Sequence, residues 1–266
     1  MEQISSRQNP LVKRVRALAN ERGTDGDVLL DGAHLIEEAL ASSVELRLVL
    51  VAHDAMDGPL GALAARAAAR GARVLALGPT VAAAVSPVRS PTGIVAVAAL
   101  QPRPVDSILQ RAPQLLLVLD HVQDPGNVGA IVRAAEGCGA TGLVAGPGTA
   151  DPFGWKALRG SMGSAFRLPI ARAEELAEPL TRAKRAGVRV FAAVPRGGTP
   201  LHQANLAGPS AFVLGGEGAG LSHTILDAAD EAITIPMLGR VESLNVSVAA
   251  ALVLYEAFRQ RQHVAL

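Results

Sequence analysis

The chain reads as an α/β protein, with a mainly parallel sheet in its C-terminal half and a smaller α/β unit before it. Three observations predict this. Short apolar runs alternate with helix-period segments along nearly the whole length, the pattern of strands joined by helical crossovers. The runs of the C-terminal half are apolar almost throughout rather than every second residue, as in strands buried on both faces. Gln101-Pro-Arg-Pro104 interrupts the alternation once, and two prolines around a charge make a stiff connection. The expected division is therefore a first domain over 1–100, a linker over 101–112 and a second domain over 113–266.

Residues 7–20 form the first expected helix, with Leu11, Val15, Leu18 and Ala19 on one face. Val28–Leu30 is a short strand, and Gly32 opens a helix that runs through Leu40. Leu46–Val51 is the next strand. Pro59 starts an alanine-rich helix that Gly71 stops, because proline suits a first helical position and glycine a C-terminal one. Val74–Leu77 is a strand, Thr80–Val85 a short helix and Ile94–Ala99 a strand. After the linker, 105–111 is a short helix. Strands are expected at 115–119, 142–145, 188–193, 210–214 and 232–235. Helices are expected at 127–137, 152–159, 173–186, 221–228 and 245–261.

At 266 residues, 49% of them hydrophobic, the chain can bury a substantial core; with 3% aromatics, that core is Ala, Val and Leu. A formal net charge of +1 excludes a polycation. The cations are 22 Arg against 3 Lys, which suits bidentate phosphate contacts but also follows from codon bias. Residues 1–24 concentrate Arg7, Lys13, Arg14, Arg16 and Arg22 against Glu2 and Glu21, a solvated or an RNA-contacting face. Cys138 is the single cysteine, so no intrachain disulfide or cysteine-pair zinc site can form. The N-terminus lacks an apolar signal core, and no run of about 18 apolar residues has membrane flanks. The last helix comes nearest, and it carries Glu256, Arg259 and Arg261. The expectation is a cytoplasmic protein with no membrane partner.

No Gly-x-Gly-x-x-Gly, Walker loop, His-Glu-x-x-His or nucleophile-elbow motif occurs, and the six histidines are scattered without ligand spacing. This argues against a nicotinamide dehydrogenase, a nucleoside triphosphatase and a zinc hydrolase; no metal is expected. What remains is a ligand gripped by backbone and amide groups. Three segments offer them: Asp124-Pro-Gly-Asn-Val-Gly-Ala-Ile-Val-Arg133, Leu214-Gly-Gly-Glu-Gly218 and Ile235–Glu256. They follow the strands at 115–119, 210–214 and 232–235. Ligands of open parallel sheets sit beyond the carboxyl ends of strands, so the three segments belong to one site.

These segments resemble the three motifs of the SpoU/TrmH family of RNA ribose 2′-O-methyltransferases, in the family's order. Asn127-Val-Gly-Ala-Ile-Val-Arg133 is similar to the first, Leu214-Gly-Gly-Glu-Gly218 to the second, and Ile235-Pro-Met237 with Ser243-Leu-Asn-Val-Ser247 to the third. Asn9-Pro-Leu-Val-Lys13 and Asp31-Gly-Ala-His-Leu-Ile36 resemble the family's substrate-binding domain, with Asp31 where many relatives carry Glu. The resemblance implies a SPOUT-like second domain tied in a C-terminal trefoil knot, which periodicity could not show. It also implies a ribosomal-protein-like RNA-binding first domain, S-adenosylmethionine as cofactor and a homodimer. The implied activity is methyl transfer to a ribose 2′-hydroxyl of RNA. The two-domain layout favours 23S ribosomal RNA over the transfer-RNA branch. A transfer-RNA methyltransferase and a catalytically silent RNA-binding or ribosome-assembly protein are the alternatives, and intact Asn127, Arg133, Ser243 and Asn245 argue against the silent protein.

The residue roles follow the same resemblance. Arg133 fixes a substrate phosphate and stabilises the developing alkoxide, or accepts the proton; the persistent positive charge of a guanidinium favours the first. Asn127 can cap its helix, and the resemblance places it beside the target ribose or Arg133; both can hold. Ser243 and Asn245 either serve as N-cap and first-turn residue or line the active site. Leu214, Gly215, Gly216, Glu217, Ile235, Met237 and Leu244 are the expected cofactor contacts, Met237 being equally suited to core packing. Ser247 is expected in helix packing, and the apolar run from Val248 to Tyr255 against a second copy. Lys156-Ala-Leu-Arg-Gly-Ser161 is a further candidate RNA contact through Lys156, Arg159 and Ser161.

Overall fold

The computed structural model describes residues 2–20, 26–111, 114–216 and 220–264. The chain forms two compact units. One is Met1–Gln101 with Phe153–Phe166, and the other is Pro102–Pro152 with Arg167–Leu266.

The first unit runs β1 (Gln3–Ile4), α1 (Pro10–Ala17), β2 (Asp27–Asp31), α2 (Ala33–Ala41), β3 (Leu46–Ala52), α3 (Pro59–Ala68), β4 (Arg73–Leu77), α4 (Pro79–Val85) and β5 (Ile94–Ala99). Its sheet has the order β1-β4-β3-β5-β2, with β5 antiparallel to both neighbours and the other pairs parallel. Helix α1 is shorter than the expected 7–20. The Asn9 side chain accepts the Leu11 N–H at 2.9 Å and Pro10 takes the first turn, so the helix cannot start earlier. Val12, Val15 and Leu18 pack with Leu29, Leu48, Leu50, Leu75, Leu77, Val95 and Val97 on one side of the sheet. The alternate residues Val28, Leu30, Val49 and Val51 are buried on the other side, where α2 and α3 lie against the strands.

The second unit begins with α5 (Val105–Leu109), inside the expected linker, then β6 (Leu115–Asp120), α6 (Pro125–Gly137) and β7 (Gly142–Ala145). The next helix, α7 (Trp155–Ser161), lies in the segment that belongs to the first unit. The chain then continues through β8 (Ile170–Arg172), α8 (Ala177–Arg185), β9 (Arg189–Ala193), β10 (Thr199–Pro200), β11 (Ser210–Gly215), α9 (His223–Ala228), β12 (Glu231–Thr234) and α10 (Val246–Val264). The sheet order is β10-β12-β9-β11-β6-β7-β8, and every pair is parallel. The five expected strands form its centre. β8 and β10, at its edges, carry three and two residues, too few to register as strands in a sequence.

Both faces of this sheet are covered. Leu116, Val118, Val144, Val190, Ala211 and Val213 meet Ile108 of α5, Leu180 and Ala183 of α8 and Ile225 of α9. The opposite face carries Phe191 and Phe212, stacked with ring centroids 5.4 Å apart. Helices α6 and α10 pack on each other, and α10 reaches β11. The parallel register brings strand ends together: Asp120 lies opposite Gly215, and Leu214 opposite both Leu119 and Ala193. The loops leaving β6, β9, β11 and β12 therefore emerge at one rim.

Candidate functional site

The loop after β6 is ordered by its own carboxylates. Asp124 caps α6, its Oδ1 accepting the Asn127 N–H at 2.8 Å, and Pro125 follows at the first helical position. The cap is thus Asp124, and Asn127 is left to project from the first turn. Its Oδ1 accepts a hydrogen bond from Nδ2 of Asn245 at 3.1 Å. Asn245 in turn starts α10: its Oδ1 accepts the Ser247 N–H at 2.9 Å and the Ser247 hydroxyl at 2.6 Å, and its carbonyl accepts from Ala249 N–H. Neither expected capping use holds for this segment: the helix begins at Val246, so Asn245 takes the cap expected of Ser243, and Ser243 lies in the loop before it. Ser247 is spent on the Asn245 side chain rather than on helix packing.

Backbone approaches backbone between the first and second segments. The Gly216 N–H donates to the Asp120 carbonyl at 2.8 Å. A Cβ at Gly216 would stand 1.8 Å from the His121 carbonyl oxygen, and one at Gly215 would stand 2.7 Å from Gly220 backbone. Only glycine permits both approaches.

Beside these loops lies a cavity of about 560 Å³, within the range of small-molecule sites. Leu214, Gly215, Gly216, Ile235, Met237, Ser243 and Leu244 all line it. Glu217 lies outside the described residues. The wall has contributors that sequence reasoning missed: Ala193 at the end of β9 with Val194 and Pro195 after it, Leu221 and Leu226 around α9, and Glu242, Ala249 and Val253 before and along α10. The rule that ligands sit beyond strand ends, applied also to the strand at 188–193, would have found the first three. Asn127, Asn245 and Arg133 are not part of the cavity wall. Arg133 is exposed on α6, with no hydrogen-bond or ion-pair partner among the described residues.

The donor set suits a cationic nucleoside better than a metal. The cavity lining is mostly apolar side chains and glycine backbone, and Glu242 is its one carboxylate among the described residues. Among the described residues, no group of three or more His, Cys, Asp or Glu is placed to hold a metal ion. A smaller depression of about 350 Å³ lies at the amino ends of β7 and β8, where Arg167 is bound to Glu136. In the first unit, Ser161 departs from its expected role: it is fully buried, and its hydroxyl donates to the Leu158 carbonyl at 2.8 Å, leaving Lys156 and Arg159 exposed on α7.

Comparison with known proteins adds to this geometry. Residues 114–255 match the model of the SpoU rRNA Methylase family, and residues 9–96 match that of the MRM3-like substrate binding domain. The chain is 34% identical over 258 residues to the 23S rRNA (guanosine(2553)-2′-O)-methyltransferase RlmP of Bacillus subtilis, covering 96% of this chain and 98% of that one. The AdoMet-bound rRNA methyltransferase of Sinorhizobium meliloti is similar in structure, with a TM-score of 0.85, 30% identity and 97% of each chain covered. The SpoU methyltransferase AviRb of Streptomyces viridochromogenes, solved with AdoMet, has a TM-score of 0.85 at 28% identity over 96% of this chain and 99% of that one.

Proposed function

This chain belongs to the SpoU rRNA Methylase family, and we propose that it transfers a methyl group from S-adenosylmethionine to a ribose 2′-hydroxyl of 23S ribosomal RNA. The observation that carries this reading is the cavity where the second and third segments meet, lined by Leu214, Gly215, Gly216, Ile235, Met237 and Leu244. S-adenosylmethionine supplies a methyl activated on a sulfonium. Leu214, Ile235 and Leu244 offer apolar walls for an adenine, and the glycine backbone offers hydrogen bonds at close range. Glu242 offers an anion to a positively charged ligand.

Bound in this cavity, S-adenosylmethionine would supply the methyl to the ribose 2′-oxygen and leave as S-adenosylhomocysteine, with the hydroxyl proton passing to water. Asn127 and Asn245, held to each other, orient the ribose. Arg133, without an ion-pair partner among the described residues, is available to hold a phosphate and to stabilise charge developing on the oxygen.

The reading includes a homodimer acting in the cytoplasm. Val248, Leu252 and Tyr255 follow one another along α10 and are 48%, 41% and 59% exposed, an apolar stripe that supports packing against a second copy. No described helix is long and apolar enough to cross a membrane. The trefoil knot belongs to the same reading, supported by the likeness to SpoU structures.

The test is transfer of labelled methyl from S-adenosylmethionine to 23S ribosomal RNA from a strain lacking the protein, followed by mapping of the ribose methyl. One modified ribose is expected. RNA binding without transfer by the native protein would instead indicate a silent RNA-binding protein of the same fold.

A further inference from the structure

His121 follows β6 directly, and its backbone lies in the left-handed region, at φ +57°. A side chain there is crowded by its own backbone, and glycine is the residue that relieves the crowding. The imidazole is nevertheless held in place. Its Nδ1 lies 2.7 Å from Oδ1 of Asp120, whose side chain is 6% exposed against 56% for His121. The ring rests on Gly148 in the loop after β7, where a Cβ would stand 2.4 Å from the ring carbon Cδ2. The backbone is fixed as well: the His121 N–H donates to the Pro147 carbonyl at 2.9 Å, and the Ala150 N–H to the Val122 carbonyl at 2.9 Å.

A carboxylate only accepts, so in the neutral ring the hydrogen sits on Nδ1 and Nε2 is left as an acceptor. Asp120 thereby fixes both the tautomer and the orientation of the imidazole. The residue stands at the rim of the site. Asp120 lies opposite Gly215, the Gly216 N–H donates to the Asp120 carbonyl, and Gly216 backs onto the His121 carbonyl too closely for any Cβ. Both glycines line the cavity, and the chain reaches Asn127 one short loop after His121. The imidazole is thus carried between the strand that borders the cavity and the helix that bears Asn127. Of the other carboxylates on the adjoining loops, Asp124 receives the Asn127 N–H and Asp151 pairs with Arg172 at 3.9 Å; Glu217 is outside the described residues.

We propose that His121 is the base of the methyl transfer, drawing the proton of the ribose 2′-hydroxyl through the water that receives it, and that Asp120 is its positioning residue. The proposal rests on the methyltransferase reading above. An exposed imidazole kept in a conformation that favours glycine, and oriented by a buried carboxylate, is retained for what its ring does. As the 2′-oxygen bonds to the methyl carbon and the carbon–sulfur bond breaks, the hydroxyl proton passes to the water and a proton of that water passes to Nε2. His121 then releases it to solvent. A relay through one water is within the reach of general-base catalysis. Arg133 keeps the electrostatic role given above.

The test is single-turnover transfer of labelled methyl to 23S ribosomal RNA from a strain lacking the protein, with the full-length chain, saturating cofactor and RNA, from about pH 5.5 to about pH 9. The native rate is expected to rise with pH along a one-proton limb to a plateau, because a protonated ring cannot accept. His121→Gly suits the left-handed backbone, so the unfolding midpoint should be kept or raised. Its plateau rate is expected to fall about a hundredfold and its acid limb to vanish. Added imidazole should restore part of that rate. His121→Gln, which keeps an acceptor but does not titrate, should stay slow and without a limb. The dissociation constants of both variants for S-adenosylmethionine and for RNA should stay within about threefold of native, which separates this role from binding. A native rate in His121→Gly, an acid limb that survives in it, or a loss of affinity large enough to account for the lost rate overturns the proposal and leaves the function standing. No methyl transfer by the native protein at any pH overturns the function itself, and the role of His121 with it.

Discussion

Nδ2 of Asn245 donates to Oδ1 of Asn127 across 3.1 Å, joining residues 118 positions apart in the chain. Each asparagine sits at the start of a helix, and α6 and α10 pack on each other. The bond therefore locks two helix N-termini together at the rim where the strands end. Asn245 has two tasks, capping through Oδ1 and reaching Asn127 through Nδ2, and substitutions can separate them. Asn245→Ala removes both and is expected to lower stability by about 1 kcal/mol and methyl transfer by at least about a hundredfold. Asn245→Ser restores the cap but not the amide donor. It should recover most of the stability in urea unfolding while methyl transfer stays low; full activity in this variant would sink the assigned role.

Arg133→Ala is expected to lower methyl transfer by at least about a hundredfold. Because Arg133 is exposed and unpaired among the described residues, stability should change by less than about 0.5 kcal/mol. Affinity for S-adenosylmethionine, read by calorimetry, should stay within about twofold, because Arg133 does not line the cavity. Arg133→Lys keeps the charge without the fork and should recover little. A large loss of cofactor affinity in Arg133→Ala would contradict a role confined to substrate and transition state.

Gly216→Ala places a Cβ 1.8 Å from the His121 carbonyl oxygen, so the loops after β6 and β11 must part. Stability should fall by more than about 2 kcal/mol, with cofactor affinity lost beyond the range of titration. Gly137→Ala is the contrast: nothing lies within 4 Å of its Cβ position at the end of α6, and a gain of about 0.5 kcal/mol is expected. Chemical unfolding of the two variants checks both signs.

Glu256 of α10 accepts hydrogen bonds from Arg259 at 2.7 and 2.8 Å and from Gln260 at 2.8 Å. The Arg259 bond holds its carboxyl down at about 2, against an ordinary 4.5. A carboxylate whose folded pKa is depressed stabilises the fold above the unfolded value and loses that contribution as it is protonated. The contribution is thus complete above about pH 4.5 and declines as pH falls toward 2. Glu256→Gln should flatten this part of the acid limb in unfolding measured from pH 6 downward, and an unaltered limb would show that the pair contributes nothing.

Leu252→Asp introduces a charge into the exposed apolar stripe of α10. With the proposed packing of α10 against a second copy, sedimentation should show a dimer for the native protein and a monomer for this variant, with methyl transfer reduced at least about tenfold. Native activity retained by that monomer would separate catalysis from self-association.

Much of the fold was legible because burial imposes period. Leu115–Leu119 and Ser210–Leu214 are strands enclosed on both faces and read as unbroken apolar runs. β8 and β10 were not legible, since three and two residues at a sheet edge carry no period. The departure of α7 into the first unit was hidden for another reason. Ala157, Leu158 and Ser161 are all buried, and a small-residue face does not say which core buries it.

The chemistry of the site divides in the same way. The candidate residue types and their order along the chain could be read directly: a glycine pair after one strand, and an amide at the start of each of two helices. These are local properties, fixed by the backbone conformations and caps each segment can adopt. That Asp124 and Asn245 act as the caps, that Asn127 is thereby released to meet Asn245, and that Ala193–Pro195 close the cavity wall depend on register between strands far apart in sequence. So does the pairing of Asp27 on the edge strand β2 with both Arg14 of α1 and Arg47 of β3. Such pairings arise only when packing brings distant groups within hydrogen-bond range, and no local preference carries that information.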